Sequence, residues 1–201
     1  SRKGGGIKSI QSVIRTDCRE QIERDRKRGI LNRPVRAMVV GIPNVGKSTF
    51  INSLAGKACA KTGNKPGVTK GKQWIRLNKQ VELLDTPGIL WPKFEDQRVG
   101  LMMALIGSMK DELLNTEELA AELISVLEAD YAGVLKEKYG IEADTESDVS
   151  VKPFQILEQI ARSRHCILRG NELDTEKAAL LLLDDFRNGR LGRLTLEYPQ
   201  E

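Results

Sequence analysis

The spacing of hydrophobic residues changes several times along the first 85 positions of the chain. Between residues 7 and 28 the apolar positions recur at helical intervals and give way to a basic stretch before Gly29, which predicts one amphipathic helix. The apolar positions of that helix are Ile7, Ile10, Val13 and Ile14. After Pro34, the short β-branched run Ala37–Val40 ends at Gly41 and predicts a buried parallel strand.

A second helix is predicted from Lys47 to about Ala55. Residues 62–72 combine three glycines, a proline and several lysines without apolar periodicity, so they predict a mobile loop. Two further strands are expected at Gln73–Leu77 and Val81–Leu84, joined by a tight turn at Asn78 and Lys79.

From about Asp96 onward the pattern becomes helical. Asn115 is a predicted N-cap for a helix with one apolar face, and Asp174 is a predicted N-cap for a helix that ends near Phe186, before Gly189. The first of these faces consists of Leu119, Leu123, Ile124 and Leu127. We therefore expect an α/β domain over residues 1–95 and an all-α C-terminal domain over residues 96–201, with an acidic linker at residues 142–148.

Charge divides the 201-residue chain unevenly, although its net charge is only +4. Residues 1–100 carry 21 basic and 8 acidic side chains, whereas residues 101–150 carry 3 basic and 12 acidic ones. Residues 1–100 are therefore the part of the chain that we expect to bind a polyanion. The three cysteines are far apart in the sequence and form no C-x-x-C pair, which predicts a cytoplasmic protein. No apolar run is long enough to span a bilayer, so a membrane role is not expected.

The octapeptide Gly41–Ser48 matches the phosphate-binding pattern G-x-x-x-x-G-K-[ST] and lies between a predicted strand and a predicted helix. Its glycines allow the backbone amides to surround phosphate, while Lys47 would reach the outer phosphates and Ser48 would ligate Mg²⁺. The predicted nucleotide-binding residues are Pro43, Asn44, Val45, Gly46, Lys47, Ser48 and Thr49, together with Gly88.

A second motif, D-x-x-G, begins at Asp85 directly after the strand Val81–Leu84. Its carboxylate could hold Mg²⁺, and Gly88 would let its amide approach the γ-phosphate. Thr69, in the loop between the two motifs, is predicted to join the Mg²⁺ shell only when a γ-phosphate is present. Lys47, Thr69, Asp85 and Gly88 are thus the predicted catalytic residues.

The order of these motifs resembles the translation-factor-related class of GTPases. The twelve residues DTPGILWPKFED at positions 85–96 closely resemble the circularly permuted ribosome biogenesis GTPase A family, also called YlqF. This resemblance implies a P-loop GTPase that binds GTP, GDP and Mg²⁺ and acts in assembly of the large ribosomal subunit. It further implies contact with rRNA and an N-terminal part that precedes the chain. For Asn44 it implies K⁺ coordination, and the alternative is an asparagine that only shapes the loop.

The guanine-selecting tetrapeptide N-K-x-D is absent from the sequence. In the permuted family this motif precedes the phosphate-binding loop, so guanine specificity is expected from the resemblance alone. Ile89 occupies the position at which many GTPases place a glutamine that orients the attacking water, and an isoleucine cannot do so. The sole histidine, His165, is expected to have a structural or surface role.

We therefore expect a monomeric, Mg²⁺-dependent GTP hydrolase that is activated by the ribosome. Two alternatives remain open: an RNA-binding assembly module with a vestigial nucleotide site, and a P-loop ATPase. RNA contact is predicted for three basic groups, namely Arg24, Arg26, Lys27 and Arg28; Lys70 and Lys72; and Arg187, Arg190 and Arg193.

Overall fold

The computed structural model describes residues 6–31, 33–61, 63, 71–90, 96–109, 115–141 and 152–197. The chain divides into two compact units, Ser1–Lys93 and Phe94–Glu201. The predicted loop 62–72 lies largely outside the described residues, as does the predicted linker 142–148.

Among the described residues of the first unit, three strands form one sheet in the order β1-β3-β2. β1 (Val35–Val39) runs parallel to β3 (Val81–Asp85), and β2 (Gln73–Arg76) is antiparallel to β3. The register places Val39 and Asp85 side by side, so the carboxyl ends of the two parallel strands meet. Both predicted strands after the loop are confirmed to within one residue.

Helices α1 (Ile7–Asp17), α2 (Arg19–Lys27) and α3 (Lys47–Ala55) complete the described part of this unit. A core forms where α3 meets one face of the sheet, and three side chains of α1 pack against it. The buried core residues are Ile51, Leu54, Ala60, Ile75, Val81 and Leu83, and the contributing residues of α1 are Ile7, Ile10 and Ile14.

Two expectations for this unit were wrong. The single predicted N-terminal helix is two helices, because the backbone of Cys18 leaves helical geometry between them. The run Ala37–Val40, predicted to be a buried strand, exposes Met38 within β1 and Val40 just after it, at 61% and 65%. The reason is that α1 and α3 cover the opposite face of the sheet, whose β1 residues include Val35, Ala37 and Val39.

The second unit contains five α-helices among its described residues: α4 (Gln97–Leu105), α5 (Thr116–Asp130), α6 (Val134–Tyr139), α7 (Lys152–Ser163) and α8 (Thr175–Arg187). Helices α5, α7 and α8 pack around one core that includes Leu123, Ile124, Ile156, Ile160 and Leu182. An isolated antiparallel bridge joins Ile167 and Leu173. The all-α assignment of residues 96–201 therefore remains a prediction.

Side-chain caps fix the starts of three helices in this unit. Asn115 accepts hydrogen bonds from the amides of Glu117 and Glu118, and Asp174 accepts one from the amide of Lys177, which confirms both predicted caps. Asp96 caps α4 in the same way, by accepting from the amide of Arg98. Within the described ranges, no helix is long and apolar enough to cross a membrane.

Candidate nucleotide site

The loop between β1 and α3 has the backbone geometry that phosphate binding requires. Gly46 precedes α3 with a φ of 90°, a left-handed conformation that suits glycine, and it supplies no side-chain cap to the helix. Asn44 also has a positive φ, of 57°. The positive end of the α3 dipole therefore lies at this loop, where it favours an anion.

Lys47, the first residue of α3, folds back over this loop. Its Nζ donates a hydrogen bond to the carbonyl oxygen of Ile42 at 2.7 Å. Partial burial lowers the pKa of Lys47 below its ordinary value, while the carboxylate of Asp85 acts in the opposite direction. The loop therefore holds a partly desolvated cation, which a phosphate group would stabilise.

Asp85 ends β3 and is almost completely buried, with 1% of its surface exposed. The hydroxyl of Ser48 donates to its Oδ2 across 3.4 Å. Its Oδ1 is buried and has no hydrogen-bond partner among the described residues. A buried carboxylate oxygen without a partner, beside a serine hydroxyl, fits the oxygen ligands that Mg²⁺ prefers.

The segment after Asp85 lies directly against the phosphate-binding loop. A Cβ added to Gly88 would lie 2.4 Å from both the Cα and the N of Pro43, so only glycine allows this close approach. The Oγ1 of Thr86 donates to the carbonyl oxygen of Val39 at 2.8 Å, which ties the end of β3 to the end of β1. The two sequence motifs therefore form one site.

The structure brings together most of the residues predicted from the sequence. The predicted residues of the loop and of α3, from Pro43 to Thr49, lie beside Asp85 and Gly88, while Thr69 lies outside the described residues. Ile89 points into solvent with 77% of its surface exposed. His165 is exposed in the turn that follows α7, in the second unit.

Asn52, in the middle of α3, is a positioning residue that the sequence did not reveal. Its Oδ1 accepts hydrogen bonds from the amides of Cys59 and Ala60 at 2.9 and 2.7 Å, and its Nδ2 donates to the carbonyl oxygen of Ala60 at 2.8 Å. These bonds hold the chain just before residue 62, where the predicted loop begins. A polar residue within a helix was the only signal of this role.

A family model described as "50S ribosome-binding GTPase" matches residues 36–142, which is more than half of the chain. The matched region contains the phosphate-binding loop and the segment from Asp85 to Gly88. The fold and the site therefore define a P-loop GTPase.

Relatives named ribosome biogenesis GTPase A match the whole chain. It is 43% identical to the Bacillus cereus protein, of which it covers 66%, and 42% identical to the Priestia megaterium protein, of which it covers 68%. The chain belongs to the ribosome biogenesis GTPase A family. It spans about two thirds of the length of these relatives.

Solved structures of YlqF from Thermotoga maritima resemble the chain as well. The match to a GDP-bound structure covers 87% of this chain and 65% of the chain in that structure, with 30% identity and a TM-score of 0.53. The match to a GNP-bound structure covers 83% of this chain and 60% of the chain in that structure, with 29% identity and a TM-score of 0.53. The likeness therefore includes proteins solved with nucleotide.

Proposed function

We propose that the chain is the switching part of a GTPase that hydrolyses GTP during assembly of the large ribosomal subunit. One observation carries the proposal: the Ser48 hydroxyl lies 3.4 Å from the buried carboxylate of Asp85, where the ends of β1 and β3 meet. Membership of the ribosome biogenesis GTPase A family supports the assembly role. The description of the matching family model supports the large subunit as partner.

In this proposal, the chain acts on GTP mainly by positioning it. The amides from Asn44 to Thr49 surround the phosphates, and Lys47 leaves the Ile42 carbonyl to pair with the β- and γ-phosphates. Ser48 and Asp85 would hold Mg²⁺, with Thr69 as a further ligand, and the amide of Gly88 would reach the γ-phosphate. The metal supplies neutralisation of the charge that develops on the phosphate oxygens.

The water that attacks the γ-phosphate needs a group to orient it, and Ile89 has none to offer. We therefore propose that free protein hydrolyses GTP slowly and that binding to the particle completes the site. Lysines in the loop 62–72 would be drawn to rRNA phosphates, and the loop would then bring Thr69 to the metal.

We propose a K⁺ site at Asn44, which has the left-handed φ of 57° within the phosphate-binding loop. A monovalent cation there would offset phosphate charge. Turnover should be higher in potassium than in sodium for wild type and equal in the two salts for Asn44→Ala. If wild type hydrolyses GTP at equal rates in potassium and in sodium, Asn44 has no K⁺-binding role and only shapes the loop.

We propose that the GTPase motifs follow the permuted order, in which the guanine-selecting motif N-K-x-D precedes β1 and the phosphate-binding loop. The absence of N-K-x-D after Asp85 supports this order. Among the described strands, β1 pairs only with β3, which leaves its other edge open to a strand from an earlier part of the chain. We further propose domains at residues 1–95 and 96–201, the second all-α, in a monomeric cytoplasmic protein.

Substitution of the site serine in the full-length protein tests the proposal. Ser48→Ala should lower GTP affinity in the presence of Mg²⁺ by at least about tenfold, because a ligand of the metal is lost. Ser53→Ala is the matched control, since that hydroxyl lies on the same helix and bonds only the carbonyl of Thr49 within it. Lys47→Ala should abolish binding.

Three results would contradict the proposal. GTP affinity that is unchanged in Ser48→Ala and Lys47→Ala would remove the site assignment. Equal affinity of the wild type for ATP and GTP would favour the ATPase alternative. Attachment to large subunits that does not depend on the bound nucleotide would favour an RNA-binding module with a vestigial site.

A further inference from the structure

Residues 19–31 and 33, here called the basic spur, lie between two contacts with the same turn of the first unit. Before the spur, Nη2 of Arg15 donates to Oε1 of Gln80 at 2.5 Å. After it, the amide of Val35 donates to the carbonyl oxygen of Gln80 at 2.8 Å. Gln80 belongs to the turn between β2 and β3, so both ends of the spur are fixed at that turn.

The turn that anchors the spur lies at the end of the sheet opposite to the nucleotide site. Val35 begins β1, and the phosphate-binding loop follows the other end of this strand. Five residues of strand separate the two by about 17 Å at roughly 3.3 Å per residue. Both anchors of the spur are therefore about one strand length from the phosphate-binding loop.

The spur adds little to the core of the unit. None of the residues of α2 is buried, and only Ile22 and Asp25 of this helix are even half-buried. A short helix that is polar on nearly all sides gains little free energy from packing. Its charged side chains are thus not needed to fold the unit.

Four exposed cations cluster at the end of the spur helix: Arg24, Arg26, Lys27 and Arg28. Within the described part of the chain, no carboxylate pairs with any of them. Two of the neighbouring carboxylates have other partners, since Glu23 pairs with Arg19 at 2.9 Å and Asp25 with Arg33 at 3.9 Å. The negative end of the helix dipole favours these cations but leaves their charge directed to solvent.

The terminal basic group predicted from the sequence is less available. Arg187 donates from Nε to the carbonyl oxygen of Leu105 at 3.0 Å and from Nη2 to that of Ala104 at 2.8 Å. Arg190 bonds the carboxylates of Asp184 and Asp185. Two of the three arginines therefore bond groups of the second unit, and Arg193 is exposed.

We infer that the basic spur binds the phosphate backbone of ribosomal RNA. The inference rests on the proposed function, because membership of a ribosome biogenesis family points to a ribosomal particle as the polyanion. Four cations within about one and a half helical turns can contact several phosphates and release their counterions. Since the spur is anchored at the opposite end of the sheet from the nucleotide, its own contribution to binding is the same in the GTP and GDP states and adds to the nucleotide-dependent attachment of the rest of the protein.

The test uses the full-length protein and purified large ribosomal subunits over a range of KCl concentrations. The spur variant is Arg24→Gln/Arg26→Gln/Arg28→Gln, in which glutamine preserves helix propensity. The matched control is Arg162→Gln/Arg169→Gln/Lys177→Gln, which removes the same charge from exposed positions of the second unit. Thermal unfolding of each variant checks that it is folded.

We expect the spur variant to bind at least about tenfold more weakly and its salt slope, log Kd against log [KCl], to fall by about two. The loss should be the same with a GTP analogue and with GDP, and the same on large-subunit rRNA transcribed in vitro. An unchanged Kd and slope, or an equal loss in the control, would overturn the inference.

A loss on subunits but not on the naked transcript would overturn it as well, because the partner would then be a ribosomal protein. A different result would show that the proposed GTPase function itself is wrong. It would appear as a wild-type protein that neither binds nor hydrolyses GTP, whatever the spur does.

Discussion

Gly88 shows how strongly a single residue constrains the site. Its Cα lies so close to Pro43 that the Cβ of an alanine would meet backbone atoms at 2.4 Å, and backbone cannot move aside as a flexible side chain can. Gly88→Ala should therefore displace the phosphate-binding loop and weaken GTP binding by at least about tenfold. Calorimetric titration of the full-length variant with GTP would measure this.

Gly71→Ala provides the control for that substitution. A Cβ at Gly71 would meet no heavy atom within 4 Å, so its GTP affinity should stay within about twofold of wild type. Should Gly88→Ala bind GTP as tightly as Gly71→Ala, the close packing of Gly88 on Pro43 would not be needed for the site.

Among the helices and strands, those with explicit end signals were predictable from the sequence. Helix α3 runs from Lys47 to Ala55 as predicted, because glycines precede and follow it, and the caps at Asn115 and Asp174 are confirmed. The break at Cys18 carried no such signal, since cysteine is compatible with a helix. The exposure of Met38 also could not be read from an apolar run, because it depends on which elements cover the sheet.

The site was predictable to a similar degree. Motif spacing identified Lys47, Ser48, Asp85 and Gly88, because phosphate and metal binding demand those residue types in that order. It could not identify the clamp of Asn52 on residues 59 and 60, since that contact depends on how the chain folds back after α3.

Helix α4 depends on a clamp from α8. The Arg187 guanidinium bonds the carbonyl oxygens of Ala104 and Leu105, two buried residues at the end of α4. Arg187→Gln should destabilise the second unit by about 2 kcal/mol, because buried carbonyl groups lose a charged donor. Urea unfolding of the full-length protein would measure the loss, with the exposed Arg193→Gln as control. Equal stability of the two variants would show that the clamp contributes nothing.

For the whole molecule, the two compact units have separate cores, and the excess of basic side chains lies in the first. The front half of the sequence carries the phosphate-binding loop, the spur and the lysines of loop 62–72. We therefore expect the particle to act on the GTPase through this half. Phosphoryl transfer can gain about 10³ to 10⁵ in rate from groups supplied by a partner, so activation should be readily observed.

Single-turnover GTP hydrolysis by the full-length protein, with and without purified large ribosomal subunits, tests the central claim most directly. We predict that large subunits raise the rate at least about tenfold, that small subunits do not, and that Lys70→Ala/Lys72→Ala loses most of the gain. A free protein that already hydrolyses GTP at the stimulated rate would contradict this account, and so would large subunits that leave the wild-type rate unchanged.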